Sequence, residues 1–291
     1  MIPSLPRPAW LRSATAAYLA AFLIFLFLPL GIVAIFAFNN APYPAPPWRG
    51  FTLDWFLGNP STGRTGLFAD RDLLGSIWTS FVVAVWVTVL SVAVGTANAF
   101  LIERTRFPGK QALSILMLAP LVIPGVILGI SILAFASQVA DVLDSAFGLD
   151  ADFLRPGLPL VVLGQFSYIA TIATLTISAR LRRFDRTLEE AALNLGASRA
   201  AVLRVILLPY LRPALLGSGA IAFLMSFADF NTTLMLVGSD SPLTVMMYGR
   251  MREGATPVLN AVSLFLMVAS ALLAVSLIRG GSRKPKAAAS S

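Results

Sequence analysis

Glu190-Ala191-Ala192, three residues, Gly196, nine residues, then Ile206-Leu207-Leu208-Pro209: this stretch decides how the chain is read. It lies between two apolar runs, in the most basic part of the sequence, with Arg182, Arg183, Arg186, Arg199 and Arg204 around it. Asp185 or Thr187 is placed to cap a helix N-terminus. Glu189 and Glu190 fall in its first turns, where acidic side chains suit the helix dipole. Ala191, Ala192 and Leu195 give that helix a small-residue face. Gly196 ends it, because a glycine enters the left-handed region without steric cost. Ser198 caps a second short helix, Arg199–Ile206, which Pro209 and Pro213 are expected to break before the next apolar run. The residues therefore predict a helix–Gly–helix elbow over about 185–209. A plainer reading, a basic loop against an anionic leaflet, explains the arginines but not the spacing.

Outward from the elbow the chain is apolar. Of 291 residues 57% are hydrophobic and 12% charged, with mean hydropathy +0.80. A soluble domain of this size cannot bury so much apolar surface, so a polytopic membrane protein is expected. Apolar runs long enough to cross about 30 Å of hydrocarbon as helix lie at about 16–38, 77–101, 111–136, 158–179, 213–237 and 257–279. The first is too long for a signal-peptide core and reads as an uncleaved span. Backbone polar groups find no water in lipid, so the spans should be helical. The expected fold is an all-α, six-span bundle forming one domain over 1–291, with residues 280–291 as a disordered tail. Pro120 and Pro124 are expected to kink the third span. Residues 39–76 form a long outer loop in which 51–56 makes a short interfacial helix, and 137–157 form a second outer loop.

With the N-terminus inside, sixteen of the 22 basic residues fall on inner segments, and Arg49, Arg64, Arg71, Arg155, Arg250 and Arg252 fall outside. The positive-inside rule then places both termini in the cytoplasm. The net charge of +8 thus follows membrane topology and does not point to nucleic acid. The chain has neither cysteine nor histidine, so thiol chemistry, disulfides and the commonest general base and metal ligand are missing. No metal site is expected, and with no clustered intramembrane acids a membrane enzyme is disfavoured.

The spacing at 190–209 resembles the EAA motif of permease subunits in ATP-binding cassette (ABC) importers, EAA-x3-G-x9-I-x-LP, at every fixed position. Similarity to the type I, methionine-importer-like permease fold covers about residues 70–280. The resemblance implies a bacterial inner-membrane subunit that catalyses no chemistry itself and carries no cofactor. ATP and Mg would be bound by two separate ATPase subunits, and the absence of a Walker A pattern from this chain agrees with that. A second permease subunit, expected to be a different chain, and a periplasmic or extracellular binding protein would complete the complex in the lipid bilayer. Carried over to these positions, Glu190, Ala191, Ala192 and Gly196 would dock on the ATPase. Glu189, Leu195 and Arg199 would flank the contact, and Ile206, Leu208 and Pro209 would couple the elbow to the fifth span. Within the family, Ser226-Phe227-Ala228-Asp229-Phe230-Asn231-Thr232-Thr233, with Gly238 and Pro242-Leu243-Thr244, resembles the spermidine/putrescine permease group. Many members carry an acidic residue where this chain has Ala228, and here the acid is Asp229. The broad group also includes importers of iron, phosphonates and opine-like compounds.

Asp229 is the only carboxylate expected deep in a span, where such a residue is costly and faces a cavity or a partner. With Asn231, Thr232 and Thr233 it forms a polar patch that is read either as a substrate contact or as a helix–helix hydrogen bond. The fourth span offers Gln165, Ser167, Tyr168, Thr171, Thr174 and Ser178 as further polar positions, of which Tyr168 and Thr171 are the pathway candidates. Ser167, Thr171, Thr174 and Ser178 share one helical face, a pattern that interhelical packing also produces. A secondary transporter would need intramembrane charges to couple ions, and only Asp229 qualifies.

Overall fold

The computed structural model describes residues 9–254 and 256–281. The regular structure among them is helical, with no strand. In chain order the helices are α1 (Ala9–Phe36), α2 (Asp54–Leu57), α3 (Arg71–Arg104), α4 (Lys110–Val122), α5 (Gly125–Phe147), α6 (Leu158–Arg182), α7 (Thr187–Asn194), α8 (Arg199–Val202), α9 (Leu208–Ala228), α10 (Asn231–Leu236), α11 (Leu243–Glu253) and α12 (Val258–Gly281). Among the described residues, five helical stretches are long and apolar enough to cross a membrane: 10–36, 71–104, 125–147, 158–182 and 199–228. The chain forms two compact units. One combines the stretch up to Arg71 with Arg250–Ala269, and the other is built mainly from Asp72–Gly249.

The larger unit is organised around α6. Its core joins Val83 and Val87 of α3, Ala136 of α5, Leu160, Val161 and Ile169 of α6, Ala222 of α9 and Leu236 of α10. Helices in lipid associate through close packing of small residues, and glycines supply it here. A Cβ on Gly95 of α3 would lie 2.8 Å from the Ala173 Cβ of α6. The short α10 is wedged in the same way. A Cβ on Gly129 of α5 would lie 2.8 Å from the Met235 Cβ, and one on Gly164 of α6 would collide with the Leu236 Cδ1. Beyond α10 the Gly157 N–H donates to the Leu236 carbonyl at 2.9 Å, which ties the start of α6 to the wedge.

In the smaller unit, no residue of α1 whose side chain is described is buried. An apolar helix exposed on all sides needs lipid or another protein around it. The segment after it is folded tightly around Asn39. The Arg49 N–H donates to its Oδ1 at 2.8 Å, and the Trp55 indole donates to its carbonyl at 2.8 Å. Arg64 pairs with Asp54 at 3.1 Å and lies 4.8 Å from the Trp55 ring centroid. Arg250 grips Asp70 through two bonds, at 2.6 and 3.1 Å.

Several expectations need correction. The third apolar run, 111–136, is not one helix. α4 stops at Val122, Ile123 is extended (φ −76°, ψ 129°), and α5 begins at Gly125. Pro124 forces this, because a proline disfavours the helical region for the residue before it. Pro120, in contrast, sits inside α4. The fifth run, 213–237, is broken at Asp229, whose backbone is extended, so Asp229 lies between helices and not within one. Pro209 and Pro213 do not break the chain after α8. A π-helical turn, Leu203–Leu207, joins α8 to α9, with Pro209 in the first turn of α9. The supposed outer loop 137–157 is helical as far as Phe147. The last helix runs through Gly281, and residues 282–291 of the expected disordered tail lie outside the described residues.

Candidate functional site: the elbow and the broken span

The elbow forms as its residues require. The Asp185 carboxylate accepts from the Thr187 N–H at 3.0 Å and so caps the entry to α7. Gly196 takes φ +86°. Its N–H donates to the Leu193 carbonyl at 2.9 Å, and the next N–H, from Ala197, donates to Ala192 at 3.0 Å, which closes the helix end. The Ser198 Oγ accepts from the Ala201 N–H at 3.2 Å and caps α8. In the π-turn the Leu208 N–H reaches back to Leu203. Under the elbow lies a small core of Leu181, Phe184, Val202, Leu207 and Leu211, against which Ala192, Ile206 and Phe100 of α3 pack.

On its other side the elbow is bare. Helix α7 buries no residue. Glu190, Ala191, Gly196, Arg199, Leu208 and Pro209 are exposed, and Leu195 at the tip is 89% exposed. An exposed leucine beside a left-handed glycine is a shape that a groove on another protein can receive. Glu189 differs from its neighbours, because it turns inward to Arg104 at the end of α3, at 2.5 Å.

The second cluster fills the break in the fifth run. The Tyr168 hydroxyl donates to the Asp229 Oδ1 at 3.0 Å. The Asp229 Oδ2 accepts from the Thr233 N–H at 2.9 Å and from the Thr233 hydroxyl at 2.7 Å. Gln165 extends the network, donating to the Thr233 Oγ1 at 2.8 Å and accepting from the Ser226 hydroxyl. The Thr244 hydroxyl closes it on the Asp229 carbonyl at 2.8 Å. The carboxylate thus caps α10 and ties the end of α9 to α6, while the Asp229 carbonyl ties it to α11. Thr232 and Thr233 are buried, whereas Asn231 is exposed. Thr171 stands apart from this cluster and donates to the Met117 carbonyl of α4 at 2.7 Å. With Thr174, Ser178 and Met117 it lines a cavity of about 210 Å³, and the Ser178 hydroxyl has no protein partner.

The family model of the binding-protein-dependent transport system inner membrane component matches residues 92–281, a range that contains both clusters. The chain belongs to this family. It is the permease component of an ABC importer, an inner-membrane subunit whose ATPase is a separate protein. Among its relatives is the putrescine transport system permease protein PotI of Escherichia coli, 29% identical over 245 residues, which cover 84% of this chain and 82% of that one. The spermidine/putrescine transport system permease protein PotC of Haemophilus influenzae is 28% identical over 260 residues, covering 89% and 93%. The fold is also that of a permease chain in the bacterial alginate ABC transporter in complex with its alginate pentasaccharide-bound periplasmic protein, with TM-score 0.72, 19% identity and 94% of each chain covered. A chain of the MetNI methionine ABC transporter in an inward-facing conformation gives TM-score 0.53 at 17% identity, covering 72% of this chain and 93% of that one.

In the permease, the elbow residues predicted from sequence are exposed, apart from Glu189, which is paired, and Ala192 and Ile206, which are half-buried and pack on the small core. Of the pathway candidates, the structure joins Tyr168, Asp229 and Thr233, and it leaves Asn231 and Thr171 outside that network. The sequence offered Gln165 among the polar positions of the fourth span and Ser226 at the start of the fifth-span pattern, but it did not join either to Asp229 or Thr233. A buried glutamine in a span is a usable signal, because its amide must find partners. Arg104 gave no signal, because a basic residue ending a span is ordinary topology.

Proposed function

We propose that this permease imports polyamines of the putrescine and spermidine type by alternating access, in a complex with two ATPase subunits, a second and different permease chain, and a binding protein. The bare elbow carries the coupling part of the reading. Glu190, Ala191, Ala192 and Gly196 dock in the ATPase groove, Leu195 and Arg199 flank the contact, and Ile206, Leu208 and Pro209 pass the motion into α9. Closure of the ATPase dimer on ATP draws the elbows together and opens the pathway outward, and hydrolysis resets it. ATP and the loaded binding protein must then favour the same global state, which is a coupling free energy between distant sites. In this reading the chain crosses the membrane six times, α12 being the last crossing, with both termini in the cytoplasm. The similarity to PotI and PotC over most of each chain supports the substrate class. The Asp229 joint borders the pathway, with Asn231, Thr232, Thr233, Tyr168 and Thr171 nearby. Its Oδ1 accepts one hydrogen bond from the protein and keeps capacity for an ammonium group.

The test is ATP hydrolysis by the complex in proteoliposomes with its binding protein. Putrescine, spermidine, ferric iron, a phosphonate and an opine are compared. Stimulation by a polyamine, lost in Gly196→Asp and in Glu190→Lys, is the expected result. Stimulation by another ligand alone keeps the importer mechanism and overturns the polyamine assignment.

A further inference from the structure

The end of α3 is fastened to the elbow by more than packing. Arg104, its last residue, meets Glu189 of α7 at 2.5 Å, and the two side chains are only 17% and 21% exposed. The contact is an ion pair without good hydrogen-bond alignment, and the same guanidinium lies 5.7 Å from the Phe184 ring centroid. One residue earlier, the Glu103 carboxylate accepts from the Arg182 Nε at 2.8 Å, and the Glu103 carbonyl accepts from Arg186 at 2.8 Å. That carbonyl belongs to the last turn of α3, where helical partners run out and positive charge is favoured. Three arginines and two glutamates therefore lock the α3 terminus to the end of α6, to the turn after it and to α7. The Arg104–Glu189 pair is partly buried, whereas Arg182 is 64% exposed; an isolated exposed pair would contribute little, but several charges sharing one helix end form a network. Helix α7 buries no residue of its own, so Glu189 joins Ala192 in holding it to the rest of the chain.

We infer that Arg104 is a positioning residue of the coupling machinery: through Glu189 it makes α3 move as one body with the elbow when the ATPase closes. The inference rests on the elbow reading above and adds to it a span that the motif itself does not contain. Glu189 then acts inward, holding α3, while Glu190 beside it faces the ATPase.

The test uses the full complex with its ATPase in nanodiscs. The permease has no cysteine, so Leu101→Cys on α3 and Ala200→Cys on α8, both exposed, accept spin labels without further changes to this chain. In the otherwise native permease the label distance stays narrow and shifts by less than about 2 Å, the size of ordinary helix adjustments, between nucleotide-free and MgATP states. In Arg104→Glu it broadens and becomes nucleotide-dependent, while the ATPase still co-purifies. The charge swap Arg104→Glu with Glu189→Arg restores the narrow distance, which a loss of folding would not allow. A nucleotide-dependent distance in the native permease overturns the inference. So does a narrow distance in Arg104→Glu, or failure of the swap to restore it. Gly196→Asp separates the two readings: if it still binds the ATPase, the elbow reading itself fails. If it releases the ATPase while Arg104→Glu keeps the narrow distance, only the role of Arg104 falls.

Discussion

Gly196 and Asp229 show how differently a residue can be constrained. A Cβ at Gly196 meets no heavy atom within 4 Å, so its only constraint inside the chain is φ +86°. A non-glycine residue in that region costs about 1–2 kcal/mol, and asparagine tolerates it best. Gly196→Asn should therefore keep the permease folded and close to native ATPase affinity. Gly196→Val should lose about tenfold or more of that affinity, as titration of the ATPase onto nanodisc-embedded permease would show. Asp229 is constrained by partners: three donors converge on its carboxylate. Asp229→Asn removes a charged acceptor that caps α10, a change of about 1.5–3 kcal/mol for hydrogen bonds to a charged group. It should lower the melting temperature of the purified permease well beyond Asn231→Ala, an exposed change. The sequence made Asp229 conspicuous as an acid in an apolar run, but it did not show the break around it. The break depends on Thr233 and Tyr168 closing on the carboxylate, and Tyr168 is remote in sequence.

Among the elements, α10 is the most tightly seated. Gly129→Ala places a methyl 2.8 Å from the Met235 Cβ and 3.2 Å from the Thr232 carbonyl, atoms that cannot swing away. Overpacking of this kind costs about 1–3 kcal/mol. Gly217→Ala, in α9 with open space around it, should be neutral or stabilising by up to about 1 kcal/mol through helix propensity. Comparing the two variants by thermal unfolding in one detergent tests the wedge directly. The run lengths made most spans legible from hydropathy, and Gly196 and Ser198 made the elbow legible from cap chemistry. The prolines were harder. Pro124 breaks its helix, Pro120 sits inside one, and Pro209 follows a widened turn, because neighbouring packing decides whether the freed carbonyls find other partners.

At the scale of the whole molecule, the composition left little room for chemistry, and family membership assigns hydrolysis to a separate subunit. Uptake by the assembled importer should require ATP. An imposed proton gradient without ATP should give no accumulation above the liposome background, measured with labelled putrescine beside an ATP-loaded control; gradient-driven accumulation would restore the secondary-transporter reading. The Arg104–Glu189 pair could not be read from sequence, because nothing local to either residue announces a partner on another helix. The π-turn at Leu203–Leu207 carries a last consequence, one of angular phase. Each residue advances an α-helix by about 100°, and a wide turn holds an extra residue without advancing the helix to match. It sits directly before Pro209, where a regular helix would in any case lose its bond to the Val205 carbonyl. The elbow is thus a crank set at a fixed azimuth on its shaft. Pro209→Ala would let the shaft wind regularly and turn the crank arm away from its socket while leaving every docking side chain in place.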